Sequence, residues 1–99
     1  MAKRKIIWSS IAKLDLIEIF DFFYKRNGNK TYSKKLNIRI RKAIRLLIKH
    51  PDLGIQTDIP NIRSLIEGDY AIFYEIKSDN IQITAIWDCR QNPEKLIFK

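Results

Sequence analysis

The hydrophobic period of this chain changes once, at Pro51, and that change constrains the fold more than any other feature. Before Pro51 the apolar side chains recur at helical spacing; after it they alternate, as along a strand with two unlike faces. Over residues 32–49, Leu36, Ile40, Ala43, Ile44 and Leu47 share one helical face. Lys34, Lys35, Arg39, Arg41, Lys42, Arg45 and Lys49 occupy the opposite arc, roughly 160° wide at about 100° per residue, with Ile38 and Leu46 inside it. A residue before proline is pushed out of the helical region, so this helix ends near His50. An earlier helix, over residues 11–25, is apolar on several sides. Ile11, Leu14, Ile17, Phe20, Phe23 and Tyr24 make a stripe that Leu16, Ile19 and Phe22 widen. A helix that apolar is expected to be covered on more than one side. Ser9 and Ser10 offer N-caps and Gly28 a stop.

Four strands complete the pattern. The run Lys5-Ile6-Ile7-Trp8 reads as the first. Residues 51–61, with two prolines, one glycine and no period, read as a loop. Strands then follow over 62–66, 70–76 and 81–87, joined by turns short enough for antiparallel hairpins. Alternation puts Tyr70, Ile72, Tyr74 and Ile76 on one face of the third strand, and Ile81, Ile83, Ala85 and Trp87 on one face of the last. The order β-α-α-β-β-β predicts an α+β fold, two antiparallel helices packed on one face of a twisted, mainly antiparallel four-stranded sheet. Residues 1–99 are read as a single domain, since 99 residues build one core and not two.

Charge is unevenly placed. Residues 1–50 hold fourteen Lys/Arg against three acids, a net of +11, and residues 51–99 hold five against eight, a net of −3. Between Asn29 and His50 there are eight Lys/Arg and no acid, so repulsion along that helix is uncompensated and an acidic partner or a polyanion is expected. The single cysteine, Cys89, suits a reducing compartment, and the apolar run after the basic N-terminus stops at Trp8, short of a signal-peptide core. A cytoplasmic protein without membrane segments is the expectation.

The segment Arg63-Ser64-Leu65-x-x-Gly68-x-Tyr70-x-Ile72-x-Tyr74 resembles the central hairpin of RelE/ParE toxins. Ile83-x-Ala85-Ile86-Trp87-Asp88-Cys89-Arg90-Gln91-Asn92-Pro93 resembles their last strand and arginine-bearing tail, and the loop from Asp58 to Arg63 their approach to the hairpin. The resemblance implies the toxin of a type II toxin–antitoxin system, a growth inhibitor of the plasmid-stabilising kind, neutralised by a cognate antitoxin. One branch, RelE-like, cleaves messenger RNA on the ribosome; the other, ParE-like, poisons DNA gyrase and lacks the nuclease residues.

Chemistry bears on the branch. Metal-free RNA cleavage needs a base for the 2′-hydroxyl, an acid for the leaving oxygen and cations for the charged phosphorane. If the chain is a nuclease, Arg63 and Arg90 are the candidate catalytic cations, by the resemblance and by their forked guanidinium groups. Each could equally be a strand arginine paired with a neighbouring acid such as Asp88 or Glu94. After the last strand the chain has neither the histidine nor the tyrosine that RelE-like nucleases carry there, and Glu67, Asp88 and Glu94 read as solvated acids. His50, the lone histidine, is placed to interact with the end of its helix. Tyr70, Tyr74, Trp8 and Trp87 are expected in the core rather than stacked on bases, and Cys89 is expected to be inert. One His and one Cys cannot assemble a usual zinc site, so no metal and no small-molecule cofactor are expected. The reading is therefore a ParE-like toxin that binds gyrase, the alternatives being a ribosome-dependent messenger RNA endoribonuclease and a non-toxic nucleic-acid-binding domain. The arc of Lys34, Lys35, Arg39, Arg41, Lys42, Arg45 and Lys49 is the candidate surface for partner or nucleic acid.

Overall fold

A short strand, β1 (Lys5–Trp8), leads through Ser9 into a helical hairpin, α1 (Ser10–Asn27) and α2 (Thr31–Lys49), in a computed structural model that describes residues 4–90. Four strands follow: β2 (Ile55–Gln56), β3 (Arg63–Glu67), β4 (Tyr70–Ile76) and β5 (Asn80–Asp88). They form one mixed sheet in the order β1-β5-β4-β3-β2, with β1 parallel to β5 and every other pair antiparallel. The expected layering of two helices on a sheet stands, and a first correction concerns the strand count. The sheet has five strands, because the segment read as a loop contains a 3₁₀ turn (Pro51–Leu53) and the two-residue β2 on the edge. Two residues are too few to show a period.

The core lies between the helices and one sheet face. Leu36, Ile40, Ala43, Ile44 and Leu47 of α2 are all buried, as their spacing predicts. They meet Tyr70, Ile72 and Tyr74 of β4 and Ile81, Ile83 and Ile86 of β5. Helix α1 departs from expectation. It buries only Ala12, Leu16 and Phe23, and among the described residues nothing covers its outer side, where Leu14, Ile17 and Phe22 are 58%, 61% and 56% exposed.

The second correction lies in β5. Tyr74 pairs with Ile83 but Phe73 with Ala85, so Thr84 is an extra residue and the strand bulges. A bulge reverses the parity of every residue beyond it. Ile86 and Asp88, not Ala85 and Trp87, therefore share the helix-facing side with Ile81 and Ile83. Beyond Ile83, β5 also outruns β1, so residues 84–88 lack a strand neighbour on that edge. Helix α1 supplies partners instead. Ser9 caps α1 by accepting the Ala12 N–H at 3.0 Å, and its hydroxyl donates to the Thr84 carbonyl at 2.9 Å. The Asp15 carboxylate accepts the Ile86 N–H at 3.0 Å. Edge groups that would otherwise be stranded are satisfied by the helix that follows β1.

Candidate functional site

The two candidate arginines come to opposite ends of β4, Arg63 within β3 and Arg90 in the turn just past the end of β5. Arg63 lies across from Tyr74, and Asp88, two residues before Arg90, lies across from Tyr70. Those positions are four residues apart, roughly 13 Å at about 3.3 Å per residue. The arginines are not brought together.

Arg63 is half-buried, and its guanidinium serves the chain itself. Its Nε donates to the Gly54 carbonyl at 3.0 Å and its Nη2 reaches the Asp52 carbonyl at 3.5 Å. The opposite residue, Tyr74, donates its hydroxyl to the Pro51 carbonyl at 2.7 Å and accepts the Gly54 N–H at 2.8 Å. Together they clamp residues 51–54 against the end of the sheet. A Cβ on Gly54 would sit 2.7 Å from the Tyr74 ring and hydroxyl and 2.8 Å from the Ser64 carbonyl, which is why glycine stands there.

At the other end Arg90 is fully committed to acids. Its Nε and Nη2 grip Asp88 in a fork at 2.9 and 2.8 Å, and Asp69 lies 3.8 Å away. The hydrogen-bonded guanidinium holds the Asp88 carboxyl below its ordinary pKa, against the opposing effect of partial burial. A cavity of about 390 Å³ opens beside this pair, lined by Asp15, Glu18 and Arg26 of α1, by Phe22, Phe23 and Trp87, and by Tyr70. Burial raises the Asp15 pKa, the Ile86 hydrogen bond opposes the rise, and the nearby Glu18 adds to it. The Tyr70 hydroxyl is sealed and has no hydrogen-bond partner. Its pKa is pushed up to about 12, first by burial and then by the charge of Asp88.

The basic arc of α2 is a real surface, but its members are not equivalent. Lys34, Lys35, Lys42, Arg45 and Lys49 are exposed and make no ion pair among the described residues. Arg39 pairs with Glu67 at 3.2 Å, so Glu67 is not merely a solvated turn acid. Arg41 hydrogen-bonds Asn37 at 2.7 Å and lies over the Trp8 ring at 5.2 Å. Ile38, 64% exposed, stands at the centre of the arc. Beside it the α1–α2 groove is walled by Ile17, Phe20 and Tyr24 and rimmed by Lys30 and Lys34.

The other residues singled out from sequence fall as follows. Tyr70 and Tyr74 are core, and Trp8 packs on the core's edge. Trp87 is half-buried at the cavity wall instead, because the bulge turned it from the helix-facing side. His50 is exposed at the end of α2. Cys89 is exposed too, and local desolvation followed by the charges of Asp88 and Asp69 raises its thiol pKa, which lowers its thiolate fraction. Glu94 and the rest of the tail lie outside the described residues. Among the described residues no three His, Cys, Asp or Glu side chains are grouped so as to hold a metal ion, and no helix is long and apolar enough to cross a membrane. Sequence reasoning missed the cavity, for which the bulge left no signal. It also missed the open side of α1, whose signal was present in apolar positions all around the helix.

Three comparisons bear on this arrangement. Among curated proteins none matches the chain. Among solved structures, a chain from the chromosomal ParDE toxin–antitoxin system of P. aeruginosa superposes with a TM-score of 0.74 at 23% identity, covering 85% of this chain and 94% of its own. At that identity the likeness establishes the shared fold. The profile of the ParE toxin of type II toxin–antitoxin systems, parDE, matches residues 6–93, which takes in both helices and every strand but the first residue of β1, and the chain therefore belongs to the ParE toxin family.

Proposed function

We propose that the free chain arrests growth by binding DNA gyrase, and that a cognate antitoxin neutralises it by covering the outer side of the helical hairpin. The observation that carries the first half is the separation of Arg63 from Arg90, each engaged with its own chain. A phosphorane needs its cations and a proton-transfer pair around one atom, and here the arginines flank no common point. Supporting the second half, exposed Ile17 of α1 shares the groove between the helices with Lys34, and exposed Ile38 stands within the arc of Lys34, Lys35, Arg39, Arg41, Lys42, Arg45 and Lys49. An apolar residue centred in a cationic field suits a protein segment carrying carboxylates and aliphatic side chains better than a phosphate backbone, which offers no apolar contact.

The test is expression of the chain alone in bacteria, with mapping of RNA ends and of gyrase-linked DNA breaks. Gyrase-linked breaks and growth arrest are expected, both relieved by co-expressing the product of an adjacent antitoxin reading frame. Codon-phased RNA cuts would transfer the chain to the ribosome-dependent nuclease reading, with Arg63 and Arg90 as its cations. Unimpaired growth at high expression would leave a nucleic-acid-binding domain without toxicity.

A further inference from the structure

The sheet ends at β2 in an edge that is short, apolar and unguarded. β2 pairs with only Arg63 and Ser64 of β3. Thr57 donates its N–H to the Ile62 carbonyl at 3.0 Å, so Thr57 and, by the alternation of a strand, Ile55 spend their main-chain groups on β3. Gln56 lies between them, and its own N–H and C=O therefore point away from the sheet. Neither has a hydrogen-bond partner among the described residues; only the side-chain amide of Gln56 is engaged, by the carbonyls of Thr57, Ile59 and Ile62. The pairing also fixes the faces. Residues directly opposite each other share a face, and Gln56 is opposite Arg63, which is opposite Tyr74 of the core. Gln56 is thus on the helix-covered side, and Ile55 and Ile66 are on the other, as diagonal neighbours 71% and 58% exposed. Exposed edges are commonly blunted by a lysine, a proline or a bulge, and β2, an isoleucine and a glutamine, has none of these. The chain carries a net charge of +8, yet residues 51–67 hold Asp52, Asp58 and Glu67 against Arg63 alone. Glu67 is paired with Arg39, whereas Asp52 and Asp58 are exposed and have no ion pair among the described residues.

We propose that this edge takes up an extended segment of a protein partner as a sixth strand, with aliphatic side chains beside Ile55 and a lysine or arginine toward Asp58. Main-chain bonds give such an added strand its affinity and its alternate side chains give it specificity. The occupant is a strand because only an extended backbone offers an acceptor and a donor at the spacing of the Gln56 N–H and C=O; a helix has spent its own, and a nucleic acid has none. The residues on either side of the one facing Gln56 fall on the Ile55 face, so those two are apolar. The added ladder is short, because the Gly54 N–H is held by Tyr74 and its carbonyl by Arg63. A second copy of this chain fits less well, since pairing two such edges sets Asp58 and Asp52 of one against the same acids of the other. Ile55 and Ile66 face away from the helices, so a partner on the outer side of the hairpin leaves this edge open. Both interfaces can be filled together, and the edge needs no assumption about gyrase.

The test titrates the blocked peptide Lys-Ile-Thr-Ile-Lys into the full chain and follows the backbone amides by nuclear magnetic resonance. Saturable shifts at Gln56 and slower hydrogen exchange of its N–H are expected. Methylating the central threonine nitrogen removes the donor for the Gln56 carbonyl and should weaken binding about five-fold. Exchanging both lysines for glutamate should weaken binding at Gln56 about three-fold. Ile55→Ser should weaken it about five-fold and leave the melting temperature unchanged, because that side chain is already exposed. Indifference to the N-methyl group, equal binding of the glutamate peptide at Gln56, or no saturable shift there would each overturn the added strand. Shifts at Gln56 that grow with the concentration of the chain alone would give the edge to a second copy and overturn the partner segment. Gyrase-linked breaks are scored in a separate assay, so loss of the edge and loss of the toxin reading are told apart.

Discussion

Tyr74 and Tyr70 lie four residues apart on the same face of β4, 0% and 2% exposed, and their hydroxyls meet opposite fates. The Tyr74 hydroxyl makes two hydrogen bonds to the turn at residues 51–54, and Arg63 adds its own. The Tyr70 hydroxyl makes none, although the residue lines a cavity together with Asp15 and Glu18 of α1. One end of the strand is saturated by its own chain; the other is left with capacity. Equal burial therefore says little about role. The number of partners each buried polar atom finds separates an arginine that braces the fold from an end of the molecule built to receive something else.

The largest effect should come from closing the saturated end too tightly. Gly54→Ala places a Cβ 2.7 Å from the Tyr74 ring, with a backbone carbonyl at 2.8 Å preventing retreat. Overpacking of this kind should cost about 3 kcal/mol, read as a lower midpoint in urea unfolding. Wild-type stability would remove the clamp from the account. Next comes the tyrosine pair. Tyr74→Phe strands the Gly54 N–H, so it should cost about 2 kcal/mol, whereas Tyr70→Phe removes a hydroxyl that has no bond to lose and should change stability by less than about 0.5 kcal/mol. Equal losses from the two would erase the contrast.

Arg63→Ala follows, at about 1 kcal/mol for its two bonds to carbonyl oxygens. It sharpens the comparison by its readout in cells. If Arg63 braces the turn, toxicity should fall only as far as folded protein falls, and raising expression should restore it. Abolished toxicity in a fully folded Arg63→Ala protein would instead make the side chain a functional contact.

How much of this was legible in the sequence depended on the range of the interaction. The α2 face, its end before Pro51 and the Gly28 stop rest on neighbours within a turn or two, and all three are where the spacing placed them. The alternation of β5 misled beyond Thr84. Ile81, Ile83, Ala85 and Trp87 fit a regular strand as well as Ile81, Ile83, Ile86 and Asp88 fit a bulged one. The choice is decided by Ser9 and Asp15, which reach the strand edge from some 70 residues away in sequence. Arg63 was visible as a strand residue, whereas Arg90 falls in the turn past β5, and their partners were not equally legible. Asp88 is two positions from Arg90 and was within reach of a local reading, whereas the carbonyls that hold Arg63 depend on a turn packed by Tyr74.

The smallest effect is the most direct test of unspent capacity at the Arg90 end, because it asks whether a carboxylate there is uncomfortable in the empty cavity. Burial raises the Asp15 pKa above the ordinary 3.8, so the folded chain holds that proton more tightly than the unfolded one. In the window between the ordinary and the raised value, the folded state binds more protons, and stability must fall as pH rises through it. Asp88 works in the opposite sense. Its pKa is lowered by Arg90, so its contribution is in place above the ordinary carboxylate range and is lost as pH falls through the lowered value. Asp15→Asn keeps an oxygen for the Ile86 N–H and removes the charge. The variant should match the wild type in acid, where the carboxyl is protonated in both states, and pull ahead as pH climbs through the raised value. Asp88→Asn should lose stability at neutral pH and flatten the acid limb. If Asp15→Asn instead lost ground with rising pH, the carboxylate would already be satisfied by its own chain, and this end of the sheet would be as closed as the other.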